Sequence, residues 1–187
     1  MAYATIFELK SYLAIADGGD DLLLMELLDR ASAAIDAYTG RNFAAGYGTR
    51  YYNTDAVDKD VLSLDGDLYA ATTITNGEGK TITAYWLLPR NVGPPYHQIR
   101  LKSASDYSWD FGADGEVEVY GLWGYSREPP DDIIHACIRL AAYYYRQKDA
   151  QVFDVTALPE QGIITVPKGM PADVRQLLDR YRKLGVF

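Results

Sequence analysis

The stretch from Glu128 to Lys148, EPPDDIIHACIRLAAYYYRQK, constrains the fold of this chain more than any other. Two prolines end any extended segment before it, and Pro130 suits the first position of a helix, where a missing N–H is no loss. Asp131 and Asp132 then fall in the first turn and Arg146 and Lys148 near the last, the charge order that the helix dipole favours. Between these ends Ile133, Ile134, Ala136, Cys137, Ile138, Leu140, Ala141, Ala142 and Tyr143 to Tyr145 wrap beyond the single stripe of a surface helix. Such a helix must be covered on most sides, by other helices or by a second subunit. It is too short, and too interrupted by His135 and Arg139, to span a membrane.

Two earlier helices offer partners. Thr5 and Glu8 have the spacing of a capping box, which predicts a short helix with Ile6, Leu9 and Leu13 facing inward, ended by the loop Asp17 to Asp20. Asp20 or Asp21 then caps a second helix, in which Leu24, Leu27, Leu28, Ala31, Ile35 and Tyr38 recur at intervals of three and four, with Gly40 as its C-cap. The small residues Ala31, Ser32, Ala33 and Ala34 allow close approach of the 128–148 helix.

Residues 41–127 change character, with short Tyr-, Thr-, Val- and Ile-rich segments broken by Gly, Asn and Asp. Strands are predicted at Thr49–Asn53, Val61–Leu64, Thr72–Thr75, Ile82–Leu87, Gln98–Leu101 and Val117–Leu122. Asn76 to Gly79 reads as a hairpin turn, because Asn and Gly tolerate positive φ, and Asp65-Gly66-Asp67 reads as another turn. Residues 89–97, rich in Pro, Asn and Gly, read as an irregular connection. Trp109 sits in a polar, glycine-containing segment, either packed against the lobe or exposed for recognition. Residues 121–125, GLWGY, read as a packed junction in which glycines admit close backbone approach while Trp123 and Tyr125 bury large surfaces.

After Lys148 the pattern predicts an irregular segment at 150–158, one short strand within 162–167, and a last helix begun at Pro171. On that helix Val174, Leu177, Leu178 and Tyr181 form an apolar stripe beside Arg175, Arg180, Arg182 and Lys183. It either docks on its own domain or enters a groove on a partner. The predicted class is therefore α+β: a helical core of three to four helices from residues 1–40 and 128–187, with a small antiparallel β lobe, 41–127, inserted between the second and third major helices.

The 187 residues suffice for one substantial domain with a subsidiary lobe, without a disulfide or metal staple. The lone Cys137 excludes an intrachain disulfide and reads as a small buried hydrophobe. With no basic-then-apolar N-terminal signal and no run of eighteen apolar residues, neither secretion nor membrane insertion is expected. The formal charge of −8 argues against nonspecific binding of a phosphate backbone by the whole surface. Residues 1–40 carry two basic and seven acidic side chains, against eight and seven in 129–187, so the ends differ electrostatically. Sixteen tyrosines against two histidines favour an assembly component over a hydrolytic enzyme.

Catalytic signatures are weak. Asp55, Asp58, Asp60, Asp65 and Asp67 lack the ordered ligand loop of an EF-hand and read as a solvated acidic loop, with a weak cation site as the alternative. His97 and His135 belong to no HExxH or Cys/His cluster. His135 and Cys137, two apart on a helix, point to different faces. His97, Asp106 and Ser108 make a triad only on paper, since no nucleophile elbow supports it. No catalytic residue, metal or cofactor is expected.

The order of features resembles the tailed-bacteriophage head–tail connector family, also called head completion or adaptor proteins. The resemblance rests on residues 3–13 (YATIFELKSYL), on 30–40 (RASAAIDAYTG) with Arg41 and Phe43, on 121–126 (GLWGYS) before Pro129 and Pro130, and on the short strand, Pro171 and last helix within 162–181. These matches cover roughly the helical half, and the middle looks like the β lobe of larger members. The resemblance implies a non-enzymatic virion component at the neck, made in the host cytoplasm and assembled as a ring of about twelve copies. It sits between the portal protein and the next head-completion or tail protein, with DNA passing through the channel without sequence-specific binding and no membrane involved. It also implies portal docking by the C-terminal helix, which maps onto Val174, Arg175, Leu177, Leu178, Arg180, Tyr181, Arg182 and Lys183. Tyr143, Tyr144 and Tyr145 are the expected subunit contacts. The competing classes are another phage neck or tail-completion protein and a small hydrolase with a carboxylate site.

Overall fold

The computed structural model describes residues 2–103, 108–109, 116–150, 156–158, 162–164 and 169–183. The chain divides into two compact units, one made of Met1–Gly40 with Pro129–Phe187 and the other of Arg41–Glu128. Four helices and a six-stranded antiparallel sheet, among the described residues, make the fold α+β.

In the helical unit α1 (Ile6–Leu13) starts with the capping box read from the sequence. Thr5 Oγ1 accepts the Glu8 N–H at 3.2 Å, and Glu8 Oε2 accepts the Thr5 N–H at 2.7 Å. Leu9 is buried, while Ile6 and Leu13 are half-buried. The helix stops sooner than the glycines predict, at Ala14, which takes the left-handed conformation with φ 58°. Helix α2 (Asp21–Thr39) buries Leu24, Leu27, Leu28, Ala31, Ser32, Ile35 and Thr39 and ends at Gly40 with φ 67°. Its N-cap is Asp20, but that carboxylate makes no capping bond. It accepts instead from Tyr145 Oη at 2.5 Å and Lys148 Nζ at 3.2 Å.

Helix α3 (Asp131–Ala150) begins one residue after Pro130, whose carbonyl accepts from the N–H groups of Ile133 and Ile134. It contacts α1, α2 and α4 (Ala172–Asp179), and so meets its need for cover within this unit. Ile133, Ala136, Cys137, Leu140, Ala141 and Ala142 are buried in that contact. Between α3 and α4, β7 (Thr156–Leu158) pairs antiparallel with β8 (Gly162–Ile164). The expected single strand thus has a partner inside the segment read as irregular.

The other unit is a sheet in the order β1-β6-β3-β5-β4, with β2 paired to β3. Its strands are β1 (Gly46–Tyr52), β2 (Val57–Asp58), β3 (Val61–Thr75), β4 (Tyr85–Leu88), β5 (Tyr96–Leu101) and β6 (Val117–Trp123). The core gathers Tyr52, Leu62, Leu68, Ile74, Ile82, Ile99, Leu101, Val117, Val119 and Trp123. Trp109 joins it, 7% exposed, and its Nε1–H donates to the Asp60 carbonyl at 2.9 Å, so the packing role holds for this residue. Asn76 to Gly79 forms a turn closed by Lys80 N–H donating to Asn76 Oδ1 and by the Thr75–Thr81 bridge.

One expected turn does not form. Asp65, Gly66 and Asp67 lie inside β3, a single strand of 15 residues that pairs with β5 in its first part and β6 in its second. A register shift between Ser63 and Leu68 replaces the turn, so the strand bulges and continues.

The junction read from GLWGY is packed as expected. Tyr125 N–H donates to the Asn42 carbonyl and Gly124 N–H to the Asp67 carbonyl, while the Phe43 and Tyr125 rings lie 5.3 Å apart. A Cβ on Gly121 would stand 2.3 Å from the Ala70 carbonyl oxygen, where β6 crosses β3. Gly121→Ala is expected to cost about 1–3 kcal/mol through overpacking against backbone, read as a lower chemical-denaturation midpoint. An unchanged midpoint would show that the two strands can part freely.

Candidate assembly surfaces

The C-terminal helix α4 sits on its own unit. Val174 and Leu178 are buried there, 2% and 0% exposed, so of the expected portal anchors these two hold α4 against the body of the subunit. Leu177 and Tyr181 are half-buried, and Tyr181 Oη donates to Asp132 Oδ2 at 3.2 Å. Around this seat Arg139 pairs with Asp173, Arg180 lies 3.3 Å from Asp132, and Tyr38 donates to Asp179 at 2.5 Å. Lys183 N–H donates to the Thr39 carbonyl at 2.7 Å, and the Arg182 guanidinium lies over the Tyr38 ring. The outward side of α4 and the residues just after it present Arg175, Arg180 and Arg182. An amphipathic helix whose narrow apolar edge is used at home offers a partner mainly charge.

The three tyrosines expected at a subunit contact are all half-buried. The Tyr143 and Tyr144 rings lie 6.0 Å apart, and burial raises the Tyr144 phenol above its ordinary range. Tyr145 is engaged with Asp20, and its hydrogen bond, followed by that of Lys148, lowers the Asp20 carboxyl.

Sequence reasoning missed other exposed apolar groups. Phe7 is 77% and Leu22 75% exposed, on the first two helices. Phe7 also lines a shallow groove of about 520 Å³ with Ile6, Lys10, Ser11, Ile15, Ala16 and Asp21. On the sheet, Tyr47, Tyr51 and Tyr120 are exposed, with Tyr47 stacked on Tyr120 at 6.0 Å. Their signal was present in the period-two alternation of β1, in which Tyr47, Thr49 and Tyr51 share a face.

The acidic stretch divides. Asp55, Asp58 and Asp60 are exposed, Asp58 at the end of the short β2 and Asp60 3.6 Å from Arg100, whereas Asp65 and Asp67 lie within β3 with bound partners. Arg50 Nη1 lies 2.6 Å from Asp65 Oδ1, which also accepts from Tyr52 Oη at 2.7 Å. The Arg50 guanidinium lies over the Trp123 ring, and a Cβ on Gly66 would meet it at 2.2 Å. Asp67 is buried, and its Oδ2 accepts from Arg41 Nη1 at 2.7 Å. Its Oδ1 lies 3.4 Å from His97 Nδ1 and has no hydrogen-bond partner among the described residues. His97 thus sits beside the Arg41–Asp67 ion pair. Asp106, the carboxylate of the paper triad, lies outside the described residues.

Cys137 is buried 3.4 Å from Ser32 Oγ, and burial raises its thiol above the ordinary range. Among the described residues, no group of three or more His, Cys, Asp and Glu side chains gathers as a metal site, and no helix is long and apolar enough to cross a membrane.

The fold has known counterparts. The chain is similar to a protein chain in the neck of the empty GTA particle with C6 symmetry, at 22% identity and a TM-score of 0.63, covering 99% of this chain and 92% of that one. A chain in the C12-symmetric neck of the native GTA particle matches at 21% identity and a TM-score of 0.62, over 99% and 91%. A chain of the native gene transfer agent virion matches at 20% identity and 0.61, over 99% and 92%. No protein-family model and no curated protein matches the sequence. The chain therefore shares the fold of chains from the neck of a phage-like particle along nearly its whole length, in agreement with the connector resemblance in its sequence.

The Asp65–Tyr52 pair makes the β unit sensitive at both ends of the pH scale. Burial works against the charge on Asp65, but the hydrogen bonds from Tyr52 and Arg50 outweigh it and hold the carboxyl below its usual range. A depressed carboxyl contributes stability above its unfolded pKa, about 3.9, and loses it as pH falls through the folded value. Burial first, and the bond to Asp65 second, push the Tyr52 phenol well up. Its contribution is complete below an unfolded pKa of about 10 and is lost as pH rises toward the folded value. Tyr52→Phe is expected to move acid unfolding toward neutral pH and to remove part of the alkaline loss in a near-UV circular-dichroism titration. An acid midpoint identical to that of the parent protein would show that this pair does not set the limit.

Proposed function

We propose that the protein is a structural head–tail connector subunit. It forms a ring below the portal of a tailed phage or phage-like particle, bridges the portal to the next neck or tail protein, and surrounds the channel through which DNA passes. The observation that carries this reading is a fold likeness extending over 99% of the chain, both units included, to a chain in a C12-symmetric neck. A ring of twelve copies of this chain follows the same symmetry, closed by one repeated head-to-tail contact. The part played is architectural, at the neck of the virion, after synthesis in the host cytoplasm.

Within that role the outward side of α4 faces the portal. Arg175, Arg180, Arg182 and Lys183 supply charge and Leu177 and Tyr181 the remaining apolar edge, while Val174 and Leu178 keep the helix seated. Tyr143 and Tyr144 contact the neighbouring copy, and the Tyr145–Asp20 bond anchors the end of α3 beside them. The wide exposure of Phe7 and Leu22 supports an assembled state, since large apolar side chains left in water mark interaction surfaces.

Co-sedimentation with the cognate portal tests the reading. The parent protein is expected to form a stoichiometric complex. Arg175→Glu with Arg182→Glu is expected to weaken it more than tenfold while leaving the helical circular-dichroism signal intact. Polar substitution of Leu178 is expected to unseat α4 and lower stability as well, by about 2–5 kcal/mol for the loss of a buried leucine. A parent protein that forms no complex with its portal would reject the connector role.

A further inference from the structure

The outer face of the β4–β5 edge carries an arrangement that the architectural role does not use. Trp86 stands opposite Arg100 in the strand register, so both side chains share a face, while Leu87 and Ile99 turn to the core cluster. Lys102 continues the pairing, its N–H donating to the Ala84 carbonyl at 3.0 Å. The Arg90 guanidinium carbon lies over the Trp86 ring at 3.4 Å from its centroid, and Lys102 Nζ lies over the same ring at 4.2 Å. Both cations are thus held against the one indole ring.

Neither Arg90 nor Lys102 has a carboxylate partner among the described residues. Arg100 has only Asp60, at 3.6 Å. The contrast with the rest of this unit is sharp, because Arg41, Arg50 and Lys80 each meet a carboxylate within 2.7 Å. A guanidinium stacked on an aromatic ring keeps its in-plane N–H donors free, and the ring fixes its position without neutralising it. Three cations gathered on one face of a chain with net charge −8 therefore form a local positive patch with preset donors.

We propose that Arg90, Arg100 and Lys102, positioned around Trp86, form a contact for the phosphate backbone of DNA. With three cations about the Trp86 ring as its donors, the contact reads phosphate charge, not base sequence. The acidic remainder of the molecule keeps the contact weak and sensitive to salt, as suits DNA that must slide past. That use rests on the connector reading, but binding by the isolated subunit does not.

The test is fluorescence anisotropy of a labelled duplex with the purified full chain at low salt, with poly-glutamate as a competing polyanion. The parent protein is expected to bind, with log K falling against log salt at a slope between about −1.8 and −2.7, the value for two or three phosphates. Arg90→Gln with Lys102→Gln is expected to weaken binding at least tenfold and bring the slope to about −0.9 or shallower. Arg30→Gln with Lys80→Gln, an equal charge change elsewhere, is expected to leave it unchanged. Thermal melting of both variants separates lost contact from lost fold. No binding by the parent protein, equal loss in both double variants, or preference for poly-glutamate over DNA would overturn the proposal. A positive DNA result beside a failed portal co-sedimentation would leave the contact standing and reject the connector role alone.

Discussion

The helical unit depends on the burial of α3. Because Ile133, Ala136, Cys137, Leu140, Ala141 and Ala142 are withdrawn from water together, the helix has to be covered from several directions, and α1, α2 and α4 all touch it. Full burial of Ile133 or Leu140 contributes roughly 1.5–3 kcal/mol each through removal of apolar surface from water, and of the smaller alanines less. The shorter helices have little independent stability, since eight residues cannot overcome the cost of helix nucleation. They persist because α3 gives their apolar edges something to cover. The use of Val174 and Leu178 in that cover leaves α4 with an outward side of arginines, which changes what a partner can recognise there.

In the β unit the comparable constraint is electrostatic. A strand of 15 residues passes through Asp-Gly-Asp because each carboxylate finds a side-chain partner on a neighbouring segment. Arg41 reaches Asp67, and Arg50 and Tyr52 reach Asp65. The Arg41–Asp67 pair is buried, so removing one partner strands a charge and is strongly destabilising, whereas the exposed Arg50–Asp65 pair is worth less. The cluster therefore ties Arg41 and the end of β1 to the middle of β3. Gly66 leaves room for the Arg50 guanidinium, which also lies over Trp123.

The surfaces differ in kind. The helical unit shows exposed Phe7 and Leu22 and an arginine-lined α4, and the β unit shows tyrosines on one stretch of sheet and cations about Trp86 on another. The ring subunit proposed above would need several distinct contact surfaces, one for each neighbour. The distribution of exposed aromatic and cationic groups is of that kind.

Much of this was legible in the sequence, wherever the governing force is local. The capping box at Thr5 and Glu8, the glycine stop at Gly40, the Asn76 turn and the apolar stripes of α2 and α3 depend on residues within a few positions of one another, so their physics is written in the spacing. The α+β class followed from the change in periodicity at residue 41. Other features depend on residues brought together by folding. Asp65-Gly66-Asp67 reads as a turn until Arg50 and Arg41 are placed beside it. Asp20 reads as a cap until Tyr145 and Lys148 arrive from 125 and 128 residues away. Whether Val174 and Leu178 face a partner or their own core was undecidable from an amphipathic stripe alone, because both outcomes bury the same side chains. The sequence by itself determined the helices, their apolar faces and most of the strands. Only the tertiary structure decided which charges are neutralised and which faces remain open, since both depend on distances between segments that sequence spacing does not encode.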